Sequence, residues 1–348
     1  MGLVQQYPAL NRPPAPVCSV CIANYNGAAL LDECIASVLA QHLDGDIEVI
    51  VHDDASTDGS ISMLRERYPQ VELLASHENV GFCVGNNRMA SHARGEYILL
   101  LNNDAALYPG ALETLVGAAR ASARPGILTL PQYDWESGNL VDRGCLLDPF
   151  CNPIPNLDPK WPQVAYVIGA CMFLPRTVWN DLGGFPEWFE SIAEDMYLCG
   201  LARLRGFPVT ALATSGYRHR QGTTFGGNRA EEGLRTSIRR RRLSERNKTR
   251  TMMILTPGLA MWPLLFAHLA ALAIEGLVLS ILHRDMALWR EIYLPALTVP
   301  FREWTVLRAR RSEVQAERTI SLTGWFSVVR WQLRKVAMLA HYGIPKVQ

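Results

Sequence analysis

The sequence predicts an α/β fold in which a mostly parallel sheet is flanked by helices and followed by a helical C-terminal region. Three observations carry this. Short, continuous apolar runs alternate four times with segments of helical spacing, the pattern of a parallel sheet covered on both faces. Each run ends abruptly on polar residues, and in an open α/β sheet ligands sit beyond the carboxyl ends of the strands. A long apolar stretch, 252–282, directly follows an arginine-rich one.

Taken in order, residues 1–16 are polar and proline-rich and read as a flexible N-terminal arm. Residues 17–24 form a short apolar run suited to a buried strand. Residues 28–41 have helical spacing, with Leu30, Leu31, Cys34, Ile35, Val38 and Leu39 on one side. A second strand, 47–52, ends in the polar turn 53–60, which leads into a helix over 61–68. A third strand spans 71–75, and a glycine-bearing turn then opens a helix that ends at 92. The fourth strand, 98–101, is followed by a helix over 109–121. From 127 to 167 the pattern loosens and proline, glycine and asparagine become frequent. Residues 164–173 return to the sheet, 182–188 form a Gly-Gly-Phe-Pro loop, 195–205 form a helix, and 209–213 form another short strand. The expected division is a catalytic domain over 17–233, with a donor half (17–125) and an acceptor half (126–233), and a helical region over 234–348.

Hydrophobic residues make up 49% of the 348, ample for a core. The formal net charge of +1 excludes a global nucleic-acid footprint. Of the eight cysteines, Cys18 and Cys21 form a CxxC, but no second pair with zinc spacing follows. Their spacing in a strand puts them on opposite faces. They are read as core thiols in a reducing cytosol, since the N-terminus carries no secretory pattern.

The chemistry concentrates at strand ends. Leu99-Leu100-Leu101 runs into Asn102-Asn103-Asp104. A carboxylate there can hold a divalent cation, and amides beside it can bond a sugar hydroxyl; helix capping is the plainer alternative. Asn24-Tyr25-Asn26 and Asp53-Asp54 close two neighbouring strands, where a carboxylate can accept from a base or a ribose. No Walker A sequence is present and no GxGxxG follows the first strand, which disfavours a P-loop nucleotidase or a dehydrogenase. Without a phosphate-cradling loop a diphosphate needs a metal. Mg²⁺ or Mn²⁺ on Asp104, with His219 as a second ligand, fits the preference of these ions for a few protein ligands plus substrate phosphates. Glu194-Asp195 opens a helix. The pair either complements the helix dipole or supplies a general base.

Asn24-Tyr25-Asn26, the 53–60 turn, Glu78-Asn79-Val80-Gly81-Phe82 with Gly85-Asn86-Asn87, Leu101 to Asp104 and Glu194-Asp195 occur in that order. Together they resemble the inverting family 2 glycosyltransferases of GT-A fold, and most of all the rhamnosyltransferase-like bacterial members that build O-antigen and other cell-surface glycans. The resemblance covers residues 17–250. It implies that Asn24, Tyr25, Asn26, Asp53, Asn87, Asn102 and Asn103 serve the nucleotide-sugar donor and that Asp104 binds the metal. It further implies that His219, in a His-x-x-Gly stretch with Gln221 and Gly222, completes the metal site. Asp195 matches the catalytic base and Glu194 its partner, while Gly183, Gly184 and Trp188 face the acceptor. Two departures stand out: Asn102 occupies the first position of the DXD motif, and Ala23 replaces the common Thr before the Tyr. The implied reaction is a single displacement from a nucleotide-sugar, dTDP-rhamnose being favoured, onto a glycan or polyprenyl-diphosphate-linked acceptor. UDP-hexose, UDP-galactofuranose and GDP-mannose are the competing donors.

Residues 263–282 are long enough to cross a bilayer, but His268 and Glu275 lie inside the stretch, seven apart and on one helix face. Helices partly buried in the cytoplasmic leaflet are therefore expected rather than a simple span. The arginine run and the Trp325-Phe326 and Trp331 segment agree with that, and place the enzyme peripherally on the cytoplasmic face of the inner membrane. A homodimer built on the same apolar faces is the alternative. Two further functions compete: a nucleotidyltransferase, disfavoured because no basic residue follows the first strand, and a non-catalytic membrane-docked scaffold, disfavoured by the intact Asp104 and Asp195.

Overall fold

The computed structural model describes residues 4–220 and 235–347. The elements run β1 (Val4–Tyr7), β2 (Cys18–Asn24), α1 (Ala28–Leu39), β3 (Ile47–Asp53), α2 (Ser60–Arg67), β4 (Glu72–Ser76), α3 (Phe82–His92), β5 (Tyr97–Asn102), β6 (Ala105–Leu107) and α4 (Ala111–Ala121). There follow β7 (Ile127–Thr129), β8 (Gln132–Asp134), β9 (Leu140–Asp142), β10 (Cys145–Leu147), β11 (Pro153–Pro155), β12 (Cys171–Pro175), α5 (Arg176–Leu182), α6 (Glu194–Leu204), β13 (Val209–Ala211) and β14 (Tyr217–His219). The C-terminal helices are α7 (Ile238–Leu255), α8 (Met261–Leu282), α9 (Met286–Leu288), α10 (Leu294–Arg302), α11 (Trp304–Ala316), α12 (Leu322–Phe326) and α13 (Arg334–Tyr342).

The chain divides into two units. One comprises residues 4–144, 155–191 and 207–220. Its eight-stranded sheet has the order β1-β4-β3-β2-β5-β12-β7-β13. Strands β2 to β5 are parallel to one another, as their continuous apolar runs predict. The run expected over 164–173 becomes a strand only at Cys171–Pro175, and it lies antiparallel to β5, with Cys171 opposite Leu101. The sheet is therefore mixed, because an apolar run encodes burial but not direction. Residues 4–7, read from the sequence as part of a flexible arm, instead form an edge strand antiparallel to β4. Val20, Ile22, Leu31, Ile35, Val38, Leu99 and Leu101 pack in one core beneath α1. Cys18 and Cys21 are buried free thiols.

A second sheet, β6-β14-β8-β9, stands on the chain just after Asp104. Strand β14 runs antiparallel to β6 with His219 opposite Ala105. This register brings a residue from the end of the unit beside Asp104.

The other unit comprises residues 145–154, 192–206 and 235–347. Residues 192–206, which carry Glu194 and Asp195, thus group with the C-terminal helices, whereas the sequence places them in the catalytic domain. Helix α7 lies against α6, α8, α10 and α11. It buries charge as well as apolar groups: Lys248 sits 2.9 Å from Glu245, both almost wholly covered, and Lys335 reaches Glu245 at 2.8 Å and Glu275 at 2.6 Å. Proline is tolerated at the first turn of a helix. Pro263 accordingly sits in the first turn of α8 rather than breaking it, while Pro257 follows the end of α7.

Candidate active site

The polar edge of the sheet is set by strand register. Asn24 on β2 is level with Asp53 on β3, and Ala23 is level with Asn102 on β5, so three apolar runs deliver their polar ends to one row. A relay of side chains joins them. Asn103 Nδ2 donates to Asn24 Oδ1 at 2.8 Å, and Asn24 Nδ2 donates to Asp53 Oδ2 at 2.8 Å. The Ser56 N–H donates to Asp53 Oδ1 at 2.9 Å, and Ser56 Oγ accepts from the Asn26 N–H at 2.8 Å. Asn26 Oδ1 accepts from the Thr57 N–H at 2.8 Å. Asn26 and Ala55 hold φ of 49° and 63°, left-handed conformations that cost energy for non-glycine residues and cluster at functional sites. Asp53 is fully buried while Tyr25 is 45% exposed. Asp53 therefore organises the two loops, and Tyr25 offers an open ring.

Sequence reasoning missed part of this scaffold. Asp54 accepts from the N–H groups of Val80 and Gly81 at 2.7 and 2.9 Å, tying the Asn79-Val80-Gly81 turn to β3. Asp58 accepts from the Ala28 N–H at 2.8 Å. Asn87 is engaged by the 185–187 loop: its Nδ2 donates to the Phe185 carbonyl at 2.9 Å, and its Oδ1 accepts from the Phe185 N–H at 2.9 Å. Gly184 has φ 72°, and a Cβ there would stand 2.6 Å from Asn87 Oδ1. Gly183 has φ 78°. Trp188 is half-buried, edge-on to Phe189 with ring centroids 4.5 Å apart.

Beside the relay, Asp104 Oδ1 and His219 Nε2 lie 3.0 Å apart, both side chains more than nine-tenths buried. Asn102 Nδ2 is 3.4 Å from the same imidazole nitrogen. The Arg220 N–H donates to the Asp104 carbonyl at 3.1 Å, fixing the strand end. Gln221 and Gly222 lie outside the described residues. Among the described residues no group of three His, Cys, Asp or Glu side chains is placed to hold a metal ion. An oxygen and an imidazole nitrogen are a sound but incomplete donor set for Mg²⁺ or Mn²⁺, which complete their shells with water and phosphate oxygens. Asp142 on β9 is a further buried carboxyl. Burial pushes it up to about 7, against the pull of the Gly144 N–H and the His219 charge.

In the other unit, Glu194 and Asp195 occupy the first turn of α6. Ile192 and Ala193 just before them have φ of 69° and 71°; for a β-branched residue this is a true outlier. Asn247 on α7 holds the turn, its Nδ2 donating to the Ile192 carbonyl at 2.8 Å. Glu194 is buried, and its Oε2 has no hydrogen-bond partner among the described residues. Burial, then the neighbouring Asp195 charge, pushes its carboxyl up to about 8. Asp195 is half-buried, with Oδ1 on the Met196 N–H at 2.7 Å. Glu194 therefore favours its protonated form near neutral pH.

Residues 19–183 match the profile of the family described as Glycosyl transferase family 2. The chain carries a family 2 glycosyltransferase domain. Among curated proteins it is 26% identical over 212 residues to the N-acetylglucosaminyl-diphospho-decaprenol L-rhamnosyltransferase of Mycobacterium tuberculosis, covering 52% of this chain and 69% of that one. Among solved structures, S. aureus TarS 1-349 superposes with a TM-score of 0.54 at 15% identity, covering 89% of each chain. GalNAc-T7 with UDP, GalNAc and Mn²⁺ gives a TM-score of 0.51 at 15% identity, over 59% of this chain and 43% of that one. At such identities the structures speak for the GT-A fold of this glycosyltransferase.

Proposed function

We propose that this glycosyltransferase moves L-rhamnose from dTDP-rhamnose to a hydroxyl of a polyprenyl-diphosphate-linked glycan precursor, with inversion at the anomeric carbon. The observation that carries the donor half is the pairing of Asp104 with His219 at the end of the amide relay. It is a two-residue cation site set beside an edge of sugar- and base-bonding groups. The rhamnosyl group and the lipid-linked acceptor rest on the 26% identical mycobacterial relative, an N-acetylglucosaminyl-diphospho-decaprenol L-rhamnosyltransferase.

In this reading Tyr25 and Asn26 meet the base, with Asp53 holding their loop, and Asn102 and Asn103 meet the ribose or the sugar. Asn87 acts through the 185–187 loop, which carries Trp188 toward the acceptor with Gly183 and Gly184. Asp104 and His219 would hold a divalent cation, Mg²⁺ or Mn²⁺, which would supply charge neutralisation for a diphosphate leaving group. Asp195 takes the proton of the acceptor hydroxyl as its oxygen forms the new bond to the anomeric carbon. The bond from that carbon to the diphosphate breaks on the opposite face, and the electron pair leaves with the nucleotide. Glu194, protonated near neutral pH, keeps a second negative charge away from the attacking oxygen. An acceptor carried on lipid places the enzyme peripherally at the cytoplasmic face of the inner membrane.

Titration calorimetry with dTDP, UDP and GDP, with and without Mn²⁺, on the intact chain and Asp104→Ala tests this. The expected result is Mn²⁺-dependent binding of dTDP that the variant loses. Preference for UDP or GDP would move the donor to a hexose, galactofuranose or mannose. Nucleotide binding that ignores both Mn²⁺ and the substitution would overturn the cation site.

A further inference from the structure

Helix α8 is amphipathic in the reverse sense. In water a helix turns its polar side outward and buries its apolar stripe. Here every exposed side chain from Trp262 to Leu282 is apolar. Phe266, Ile274 and Ile281 are 65%, 65% and 69% exposed, and Leu277, Val278 and Leu282 are open beside them. The polar residues point inward. His268 is 2% exposed and meets Thr249 Oγ1 at 3.0 Å. Ser280 is buried, and Glu275 is paired with Arg241 and Lys335. This is how polar side chains are disposed in helices bathed by lipid, where they face protein rather than solvent.

Two features decide what covers the open side and how. Interfaces between copies of a protein keep a third or so of their area polar, whereas the exposed side chains of this side carry no hydrogen-bonding group from Pro263 to Leu282, only the Trp262 indole N–H standing at its start. Lys and Arg far outnumber Asp and Glu across 235–347, although the whole chain is balanced at +1; a basic body beside an apolar face matches anionic lipid. The covered side of α8 runs its full length, from Met261 to Ser280, against helices that include α7. A crossing orientation would draw the Arg241, Glu245 and Lys248 charges of α7 toward hydrocarbon, where ionised side chains are costly.

We propose that the outward side of α8 inserts into the hydrocarbon of an anionic bilayer with the helix lying in the membrane plane. This deepens the membrane location given under the proposed function and rests on it, but not on the donor or the reaction. Flotation of the full chain with phosphatidylglycerol-containing vesicles, in the absence of any nucleotide, tests it. The wild type is expected to float with these vesicles and more weakly with phosphatidylcholine alone. Ile274→Glu with Ile281→Glu is expected to lower the bound fraction roughly tenfold or more, with nucleotide binding unchanged. Leu10→Glu, at an exposed leucine of the other unit, is expected to float like the wild type. Should the glutamates lower the melting temperature, Ile274→Ser with Ile281→Ser serves instead, with the same direction expected. A wild type that does not float overturns the inference. So does a double variant that floats equally well, or a wild-type dimer that the double substitution splits. A chain that floats through α8 but transfers no sugar leaves the inference standing and removes the proposed reaction alone.

Discussion

Gly27→Ala probes whether the amide relay holds the donor edge. Gly27 has φ −118° and ψ 25°, outside the left-handed region, so the backbone accepts an L-residue. The side chain is what does not fit. Its Cβ would stand 2.1 Å from Asn103 Nδ2 and 2.5 Å from Asn24 Oδ1, the two atoms of the bond that begins the relay. Ordinary contact begins at 3.4 Å, so one amide must retreat by about 1 Å, enough to break a 2.8 Å hydrogen bond. Both partners are buried, and leaving such groups unpaired costs about 1–3 kcal/mol. Shared between fold and site, that loss is expected to weaken nucleotide binding at least about fivefold and to lower the melting temperature by a few degrees. Calorimetry and thermal melts on one sample read both. A variant that binds nucleotide within about twofold of wild type would refute the reasoning, because the relay would then be dispensable.

Three further expectations follow from the other unit. Asp195→Asn is expected to lower turnover by roughly 10²–10⁴ while leaving calorimetric nucleotide affinity in place; retained turnover would remove Asp195 as the base. Glu194 ordinarily titrates at 4.5 and is raised to about 8 in the folded chain. The folded state thus holds a proton that the unfolded state releases between those values, and the stability of the wild type falls as pH rises through that window. Melts of Glu194→Gln should therefore gain on wild type from pH 4.5 to 8 and level off above it, and a pH-independent difference would reject the raised pKa. Glu245→Ala strands Lys248 in the interior, which costs about 3–5 kcal/mol in urea unfolding, and adding Lys248→Met should restore most of it. A single variant as stable as the double one would show that the pair is not coupled.

That the polar strand ends meet in one row was legible because the pattern is local. Asn24, Asp53 and Asn102 each end an apolar run, and parallel pairing then lines up run ends without any long-range information. What escaped depends on partners distant in sequence. Asn87 reads as a ligand until the 185–187 loop claims its amide, across 98 positions. The direction of β12 is invisible because Cys171–Pro175 is buried whichever way it runs. His219 reads from the sequence as a candidate ligand that needs the motif resemblance for support; its place beside Asp104 comes from the pairing of β14 with β6, two three-residue strands too short to read from periodicity. Similarly, the seven-residue spacing of His268 and Glu275 fixes that they share a helix face, but not that this face turns inward.

The least legible local structure is the turn before Glu194. Ile192 at φ 69° is a conformation its own sequence opposes, and a β-branched residue there persists only where surrounding structure over-determines it. Asn247 supplies that restraint, bonding the Ile192 carbonyl from a fully buried position on α7. In sequence Asn247 sits among arginines and reads as one more polar residue of a basic run. In the fold the same helix anchors α8 through Arg241 to Glu275 and steadies the backbone that presents Glu194 and Asp195. The proposed base and the proposed membrane face thus hang on one helix. A change that loosens α7 is accordingly expected to reach both turnover and lipid binding, whereas changes to the outer side of α8 reach lipid binding alone.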